Sequence, residues 1–226
     1  MNILIINGSP RANGATAKIL HIIEDSLIQR ENILVEFVDI SNLKMSPCTG
    51  CCACYKTGRC YIDDEAEELS NKIGMADGLI IGSPTYASNV SGQLKQFIDR
   101  GHFVIEQLLH NKYAVSVVTG ENHGSRDTIK ILNRLLKYSG ASLSGNIRLD
   151  LPFNQNPNGS KELKKKACAL ADKIYYDVKR KRKYFFQCFI HKLIFSLGIK
   201  PFVMKKGESY SGVVLRWKSC GVIGNS

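Results

Sequence analysis

The chain has 226 residues, of which 44% are hydrophobic and 23% charged, a composition that is ordinary for a soluble globular protein. The net charge of +11 is unusual and local, because residues 161–206 hold 14 Lys and Arg against 3 Asp and Glu and the rest of the chain is neutral. No apolar run reaches the roughly 18 residues of a membrane-spanning helix, which argues against an integral membrane protein.

Short apolar runs alternate with longer helical patterns along the chain. Predicted strands cover residues 2–6, 33–38, 79–82, 114–119 and 141–149, and predicted helices cover 16–28, 65–75, 91–109, 125–138 and 161–179. This repetition predicts an α/β three-layer sandwich around a five-stranded parallel sheet, with the flavodoxin-like strand order 2-1-3-4-5. We assign residues 1–178 to this domain, with a cysteine-rich loop at 46–62, and residues 179–226 to a helical C-terminal extension.

The start of the chain predicts a cellular location. Residues 1–8 lack a cationic segment and a small-residue cleavage site, so they indicate a strand rather than a signal peptide. We therefore expect a cytoplasmic protein. In that compartment the eight cysteines are more often metal-binding or redox-active than disulfide-bonded.

Three polar turns follow the first, third and fourth predicted strands, at residues 7–16, 82–92 and 119–125. Because ligands of wound parallel sheets bind beyond the carboxyl ends of the strands, we expect the three turns to share one site. In the first turn, small residues and a helix N-terminus favour an anion, Ser9, Asn13 and Thr16 add donors, and Arg11 can pair with phosphate. An ordinary Gly/Pro/Asn turn is the alternative.

The second and third turns suit a flat ligand. Tyr86 can lie along an aromatic ring, or it can cap the core while Ser91 acts as a plain N-cap. The flexible backbone of residues 119–125 can border the same ring. For His123 we expect an exposed loop histidine.

Five cysteines lie within residues 48–60, and without Cys52 they follow the pattern C-x2-C-x2-C-x5-C. Thiolates at this spacing suit a [4Fe–4S] cluster, and we take Cys48, Cys51, Cys54 and Cys60 as its candidate ligands. Zinc, a thiol–disulfide pair and a metal-free loop that orders the neighbouring site remain alternatives.

Three motifs in this order resemble the NAD(P)H-dependent FMN reductase superfamily, and the cysteine segment resembles its iron–sulfur flavoprotein branch. They are G-S-P-R-x-x-G-x-T at the start, S-P-T-Y-x-x-x-x-S leading into L-K-x-F-x-D-R, and C-x2-C-x2-C-x3-G-x-C-x2-D-D from Cys48 to Asp64. The resemblance covers residues 1–180 and implies a flavodoxin-like fold that binds FMN. Its implied cofactor-binding residues are Ser9, Arg11, Asn13, Ala15, Thr16, Pro84, Thr85, Tyr86, Asn89, Thr119, Gly120 and Gly124.

The resemblance also implies a function. We expect an FMN-dependent oxidoreductase that moves electrons from NAD(P)H or a reduced carrier to a flavin, a quinone or another small redox molecule, in part through the cluster. No catalytic side chain is required, because the flavin carries the chemistry. A non-catalytic electron carrier or redox sensor is the alternative. Expected partners are further copies of the chain, as a homodimer or homotetramer, and an electron-carrier protein or small acceptor.

The C-terminal extension begins with five consecutive basic residues at 179–183, followed by an apolar, aromatic-rich stretch at 184–197. Such a segment can lie on an anionic membrane surface or pack as a helix against the domain or a partner subunit. We favour packing, and regard the stretch as too short and too polar to span a bilayer. No recognition motif accompanies the basic run, so we expect no nucleic-acid binding.

Overall fold

The computed structural model describes residues 1–121, 123–152 and 155–224. The strands are β1 Asn2–Asn7, β2 Leu34–Asp39, β3 Gly78–Pro84, β4 Tyr113–Gly120 and β5 Ser142–Asp150. The helices are α1 Ala15–Ile28, α2 Ala53–Thr57, α3 Glu65–Met75, α4 Gly92–Arg100, α5 Gly124–Tyr138, α6 Lys161–Lys179, α7 Phe185–Ile194, α8 Lys200–Lys205 and α9 Ser211–Ser219.

The five strands form one parallel sheet in the order β2-β1-β3-β4-β5, which confirms the predicted topology. Alternate side chains of the buried strands enter two separate cores, as in β1, where Leu4 and Ile6 face one side and Ile3 and Ile5 the other. Helices α3, α4 and α5 cover the first face, and α1 and α6 cover the second. The carboxyl ends of the strands therefore share one edge, with the following turns above it.

One predicted helix is shorter than expected. The apolar pattern predicts a helix over 91–109, but α4 ends at Arg100 and a series of turns follows. His102 and Gln107 adopt left-handed backbone conformations with φ of 54° and 55°, which no helix accommodates. Phe103, Leu108 and Leu109 are still buried, so the apolar pattern after Arg100 reflects core packing in an irregular segment.

The C-terminal extension builds a small core of its own. Phe195, Ile199, Val203, Val213 and Trp217 are buried together. This core lies against the cysteine-rich loop and the turns after α4, because Tyr55, Val104 and Ile105 pack on it. The indole N–H of Trp217 donates to the carbonyl of Ile105 at 2.9 Å.

Helices α7 and α8 form a single helix, Phe185–Lys205, joined by a π-helical turn at Phe195–Ile199. The stretch 184–197 was expected to be too short and too polar to span a bilayer. It is part of a helix of 21 residues that is long enough and apolar enough to do so, and that expectation is therefore wrong. Gly198 and Pro201 look like the end of a helix in the sequence, whereas the widened turn carries the helix through both. Only 17% of the most apolar stretch is buried.

A contact between two glycines joins the extension to the cysteine-rich loop. A Cβ atom on Gly212 would lie 2.3 Å from the backbone nitrogen of Gly58 and 2.9 Å from the carbonyl oxygen of Lys56. The first turn of α9 can therefore approach this loop only with glycine at position 212.

We expect Gly212→Ala to lower the free energy of unfolding by about 2 kcal/mol, because backbone atoms would have to move apart. Gly198→Ala is the matched control, since nothing lies within 4 Å of its added Cβ. Urea unfolding of both variants measures the difference. Equal stability of the two variants would contradict the proposed close contact.

Candidate functional site

A cavity of about 640 Å³ opens at the carboxyl edge of the sheet. It is lined by all three predicted turns. Ten of the predicted cofactor-binding residues form its wall: Ser9, Arg11, Asn13, Ala15, Thr16, Pro84, Thr85, Tyr86, Thr119 and Gly120. The structure therefore brings together segments that are more than a hundred residues apart in the sequence.

The N-terminus of α1 forms the anionic-ligand end of this cavity. Gly14 precedes the helix and supplies no side-chain cap, so the first helical N–H groups are left for a ligand. Arg11 and Lys18 add positive charge to the same wall. Ser9 stabilises the turn, because its hydroxyl accepts a hydrogen bond from the Arg11 backbone at 3.1 Å. This end of the cavity suits a phosphate.

Hydroxyl groups connect the turns at the base of the cavity. The hydroxyls of Thr16 and Thr119 lie 2.7 Å apart and both residues are buried, so this pair joins the first turn to the third. The Thr85 Oγ1 atom is buried without a hydrogen-bond partner among the described residues. A ligand with polar atoms along its edge would satisfy that hydroxyl.

The second turn carries backbone strain. Ala87 and Ser88 both have positive φ, at 48° and 58°, between Tyr86 and Asn89, whose backbones exchange two hydrogen bonds of 2.9 Å. Non-glycine residues adopt this conformation at a cost, and such strain is concentrated at ligand sites. The turn presents Tyr86, whose side chain is 42% exposed, at the cavity wall.

Two predicted residues lie outside the lining. The Asn89 side chain accepts a hydrogen bond from the Val90 backbone at 2.8 Å. Gly124 begins α5 behind the cavity wall, where a Cβ added to it would lie 2.8 Å from Ser88 Oγ. His123 is exposed, as expected, and Asn122 lies outside the described residues. Eight further residues complete the lining and were not predicted from the sequence: Gly14, Lys18, Ala87, Ser88, Glu121, Leu151, Pro152 and Gln155.

A second, smaller cavity of about 70 Å³ contains the cysteines. Its wall includes Cys48, Cys51, Cys52, Cys54 and Cys60, with Arg100 and His102 beside them. Among the residues that the structure describes, no three Cys, His, Asp or Glu side chains are arranged to hold a metal ion. The four predicted ligands thus share one cavity without converging on one centre, and their thiols are the donor set that an iron–sulfur cluster requires.

The guanidinium of Arg100 anchors the loop around this cavity. It donates to the carbonyls of Ser46 and Ile62 at 3.0 and 3.1 Å, to Cys60 Sγ at 3.4 Å, and to the Asp64 carboxylate. Arg100 is 4% exposed. Burial opposes ionisation of Asp64, but the hydrogen bond and charge of Arg100, together with backbone hydrogen bonds from Ser46 and Ala66, outweigh it and lower the pKa of that carboxyl.

The protonated form of His102, a second residue in the wall of the cysteine cavity, is also favoured. Burial alone would neutralise His102, but hydrogen bonds with Cys54 and Glu106 outweigh it and raise the pKa of His102 to about 10. The Glu106 carboxylate lies 2.7 Å from its Nδ1. Two cations, Arg100 and His102, therefore lie in the wall that carries the thiols.

Helix α4 connects the two cavities. At its N-terminus, the Ser91 hydroxyl donates to the Gly8 carbonyl and accepts from the Leu94 N–H at 3.1 Å, which fixes the first and second turns together. At its C-terminus, Arg100 holds the cysteine loop. At 1.5 Å per residue the nine residues of α4 span about 14 Å, so one short helix joins the turns beside the larger cavity to the wall of the cysteine cavity.

Residues 1–147 match the model of a protein family described as NADPH-dependent FMN reductase, and they are more than half of the chain. The chain belongs to this family. It is an FMN-dependent oxidoreductase of flavodoxin-like fold, and the FMN-binding character of the family agrees with the phosphate-suited end of the larger cavity.

Named relatives confirm the predicted branch. An iron-sulfur flavoprotein of Clostridioides difficile (strain 630) is 35% identical over 226 residues, covering 99% of this chain and 100% of the relative. An iron-sulfur flavoprotein of Methanocaldococcus jannaschii is 37% identical over 133 residues, covering 58% of this chain and 68% of the relative. The alignment with the clostridial protein therefore includes the C-terminal extension.

Solved structures support the fold. An NADH:FMN oxidoreductase in its apo form superposes with a TM-score of 0.59 at 18% identity, covering 81% of this chain and 90% of that chain. A flavodoxin from the domain Archaea superposes with a TM-score of 0.54 at 13% identity, covering 79% and 99%. At such low identity the likeness concerns the fold alone.

We expect Thr85→Val to weaken FMN binding about five- to tenfold, because a buried hydroxyl in the cavity wall would lose its partner on the flavin. Ser70→Ala is the matched control, since the Ser70 hydroxyl is also buried without a partner among the described residues but belongs to α3. Fluorescence titration with FMN measures both affinities. Unchanged affinity in Thr85→Val would remove this residue from the flavin site.

We expect Asp64→Asn to lower the free energy of unfolding by about 3 kcal/mol at pH 7, because it leaves the buried Arg100 charge unpaired. Asparagine preserves the N-cap of α3, so the variant isolates the ion pair. Since the pKa of Asp64 is lowered by folding, the stabilisation is fully present above the unfolded value of 3.8 and is lost as the pH falls through the folded value.

The control for this pair is Asp99→Asn, which removes an exposed partner of Lys95 on the same helix and should cost less than about 1 kcal/mol. Urea unfolding at pH 7 and below pH 4 tests both variants. A difference between wild type and Asp64→Asn that is independent of pH would contradict the assignment.

Proposed function

We propose that this protein accepts electrons from NAD(P)H or a reduced carrier protein and passes them to a small acceptor such as a flavin or a quinone. We further propose that a [4Fe–4S] cluster held by Cys48, Cys51, Cys54 and Cys60 takes part. The observation that carries the proposal is the connection of the larger cavity to the cysteine cavity by α4. All eight cysteines are free thiols, which supports a cytoplasmic location.

The residues of the larger cavity fit FMN. The α1 N-terminus, Arg11 and Lys18 would bind its phosphate, and the hydroxyl of Thr85 would donate to or accept from the ring edge. Tyr86 would cover one side of the ring. When bound, FMN supplies the hydride and electron chemistry, while these residues fix its position and exclude water from it.

The cysteine cavity supports the second part of the proposal through its chemistry. Five thiols surround one small space, and the cations Arg100 and His102 offset the negative charge that several thiolates would bring. Cys52 adopts a left-handed conformation with φ of 60° as the cap of α2. We assign it no ligand role, in keeping with its place outside the C-x2-C-x2-C-x5-C pattern.

Anaerobic purification followed by absorption spectroscopy tests the proposal. We expect a bound flavin whose absorption is bleached by NADH, NADPH or a reduced ferredoxin, and restored by a quinone or free flavin during turnover. Bound flavin without turnover with any of these donors and acceptors would instead indicate an electron carrier or redox sensor. Absence of any affinity for FMN would overturn the proposal as a whole.

We expect Cys60→Ala to lose bound iron and acid-labile sulfide after reconstitution while it retains FMN, because the thiols and the flavin site line different cavities. Cys52→Ala is the control and should keep both. Metal analysis and the anaerobic spectrum measure the difference. Equal iron content in the two variants, or none in the wild type, would contradict the cluster assignment.

A further inference from the structure

The long helix Phe185–Lys205 carries an apolar face that nothing covers in the described part of the chain. Five large side chains occupy it, with spacings of three, one, three and four residues, which place them on one side of a helix: Phe186, Phe189, Ile190, Leu193 and Leu197. Phe186, Phe189 and Leu197 are 76%, 66% and 73% exposed. Phe185, which begins the helix, is also exposed. We call these six residues the aromatic face.

The opposite side of this helix is attached to the domain by polar groups. The Gln187 side chain bonds both the backbone N–H and the carbonyl of Leu143 on the edge strand β5, at 2.8 and 3.1 Å. His191 Nε2 lies 2.7 Å from Gln107 Oε1. A surface helix normally turns its apolar side to the core and its polar side to water. In α7 the large apolar side chains face solvent instead, while the helix packs its inner side through Gln187, His191 and the start of the small core at Phe195. The aromatic face is thus left for an apolar environment outside the domain.

Positive charge surrounds the aromatic face. Residues 179–206 contain nine Lys and Arg and no Asp or Glu. Five of these charges directly precede α7, and Lys192 and Lys200 are exposed along the helix. A cavity of about 500 Å³ adjoins the start of α7, and its wall contains His110, Lys112 and the basic residues 181–183, with Asp77 as its acidic member.

We propose that the aromatic face and the basic residues 179–183 bind the surface of an anionic lipid bilayer. The aromatic side chains would enter the boundary between headgroups and acyl chains, while the lysines and arginines contact lipid phosphates. The helix would lie in the plane of the membrane. This inference does not depend on the flavin or on the cluster.

The attachment of the helix explains why it would lie on the membrane and not cross it. Its N-terminal end continues from α6, which packs on the sheet, and its C-terminal end leads to α9, which packs on the cysteine loop. Both ends therefore belong to the same folded body. Insertion across the bilayer would also break the bonds of Gln187 and His191 to the domain.

Charge complementarity favours lipid over a second copy of the chain. A two-fold symmetric dimer built on the aromatic face would bring two copies of residues 179–206 together, each with nine positive charges and no negative one, so the two copies would repel. An anionic bilayer offers the opposite charge and an apolar layer together. A dimer through this face is therefore an outcome that the experiment must be able to detect.

The test is flotation of the full-length protein with phosphatidylcholine vesicles, with and without 30% phosphatidylglycerol. We expect binding only to the anionic vesicles, and its loss at high salt. Phe186→Ser/Phe189→Ser should weaken the partition at least about tenfold, because two exposed rings are removed from the lipid. The control is Met75→Gln, which removes an exposed apolar side chain from α3.

The contribution of charge is tested by Lys181→Gln/Arg182→Gln/Lys183→Gln, which should weaken the partition on the order of a hundredfold, since each cation near the surface contributes about fivefold. Its control is Lys164→Gln/Lys165→Gln/Lys173→Gln, which removes three exposed charges from α6 and should bind almost as the wild type does. Circular dichroism and bound FMN confirm that each variant is folded.

Three results would overturn the proposal. The first is equal flotation of the wild type with neutral and anionic vesicles, or none with either. The second is a wild-type dimer that Phe186→Ser/Phe189→Ser converts to a monomer, in the absence of vesicle binding. The third is protein that resists extraction from the vesicles by alkaline carbonate, which would indicate a membrane-spanning helix.

Discussion

The buried guanidinium of Arg100 holds the cysteine-rich loop in place. This loop has little apolar surface of its own, and Cys48, Cys51 and Cys52 are exposed. Its order depends on polar groups: carbonyls of Ser46 and Ile62, the sulfur of Cys60 and the carboxylate of Asp64 all bind one side chain. Such a cation is costly to bury unless it is paired, so the polar groups of the loop and the buried Arg100 of α4 stabilise each other.

Because Arg100 ends α4, the same helix also sets the distance between the two cavities. Ser91 at its start is bonded to Gly8 in the first turn, and its backbone N–H donates to Ser83 Oγ at 3.0 Å in the second. A displacement of α4 would therefore move the turns beside the larger cavity and the wall of the cysteine cavity together. A short connection of this kind is what the proposed electron transfer between the two cavities would require.

Much of this arrangement could be predicted from sequence. The five strands, their order and ten of the cavity residues follow from periodicity, from polar turns at strand ends and from the family motifs. Leu151, Pro152 and Gln155 were missed, although the turn after β5 must share the same edge as the others. Arg100 was noted only as the last residue of a family motif inside the predicted helix 91–109, because its role depends on long-range contacts that no local pattern records. Thr16 and Thr119 were assigned to a ligand separately, without their mutual hydrogen bond.

The C-terminal extension contacts the cysteine-rich loop on its inner side and carries the aromatic face on its outer side. Its inner side packs against the surroundings of the cysteine cavity. Tyr210 stacks on Tyr55 with ring centroids 4.6 Å apart, and the Ser211 hydroxyl donates to the Lys56 carbonyl at 3.1 Å. Arg216 lies 3.1 Å from Glu106, the partner of His102. Its outer side is the aromatic face. A bilayer that holds the outer side would therefore orient the cysteine site relative to the membrane, since one small core that includes Phe195 and Trp217 separates the two. Of the proposed acceptors, those dissolved in the lipid would then meet the protein in a fixed orientation, whereas water-soluble acceptors would not depend on the bilayer.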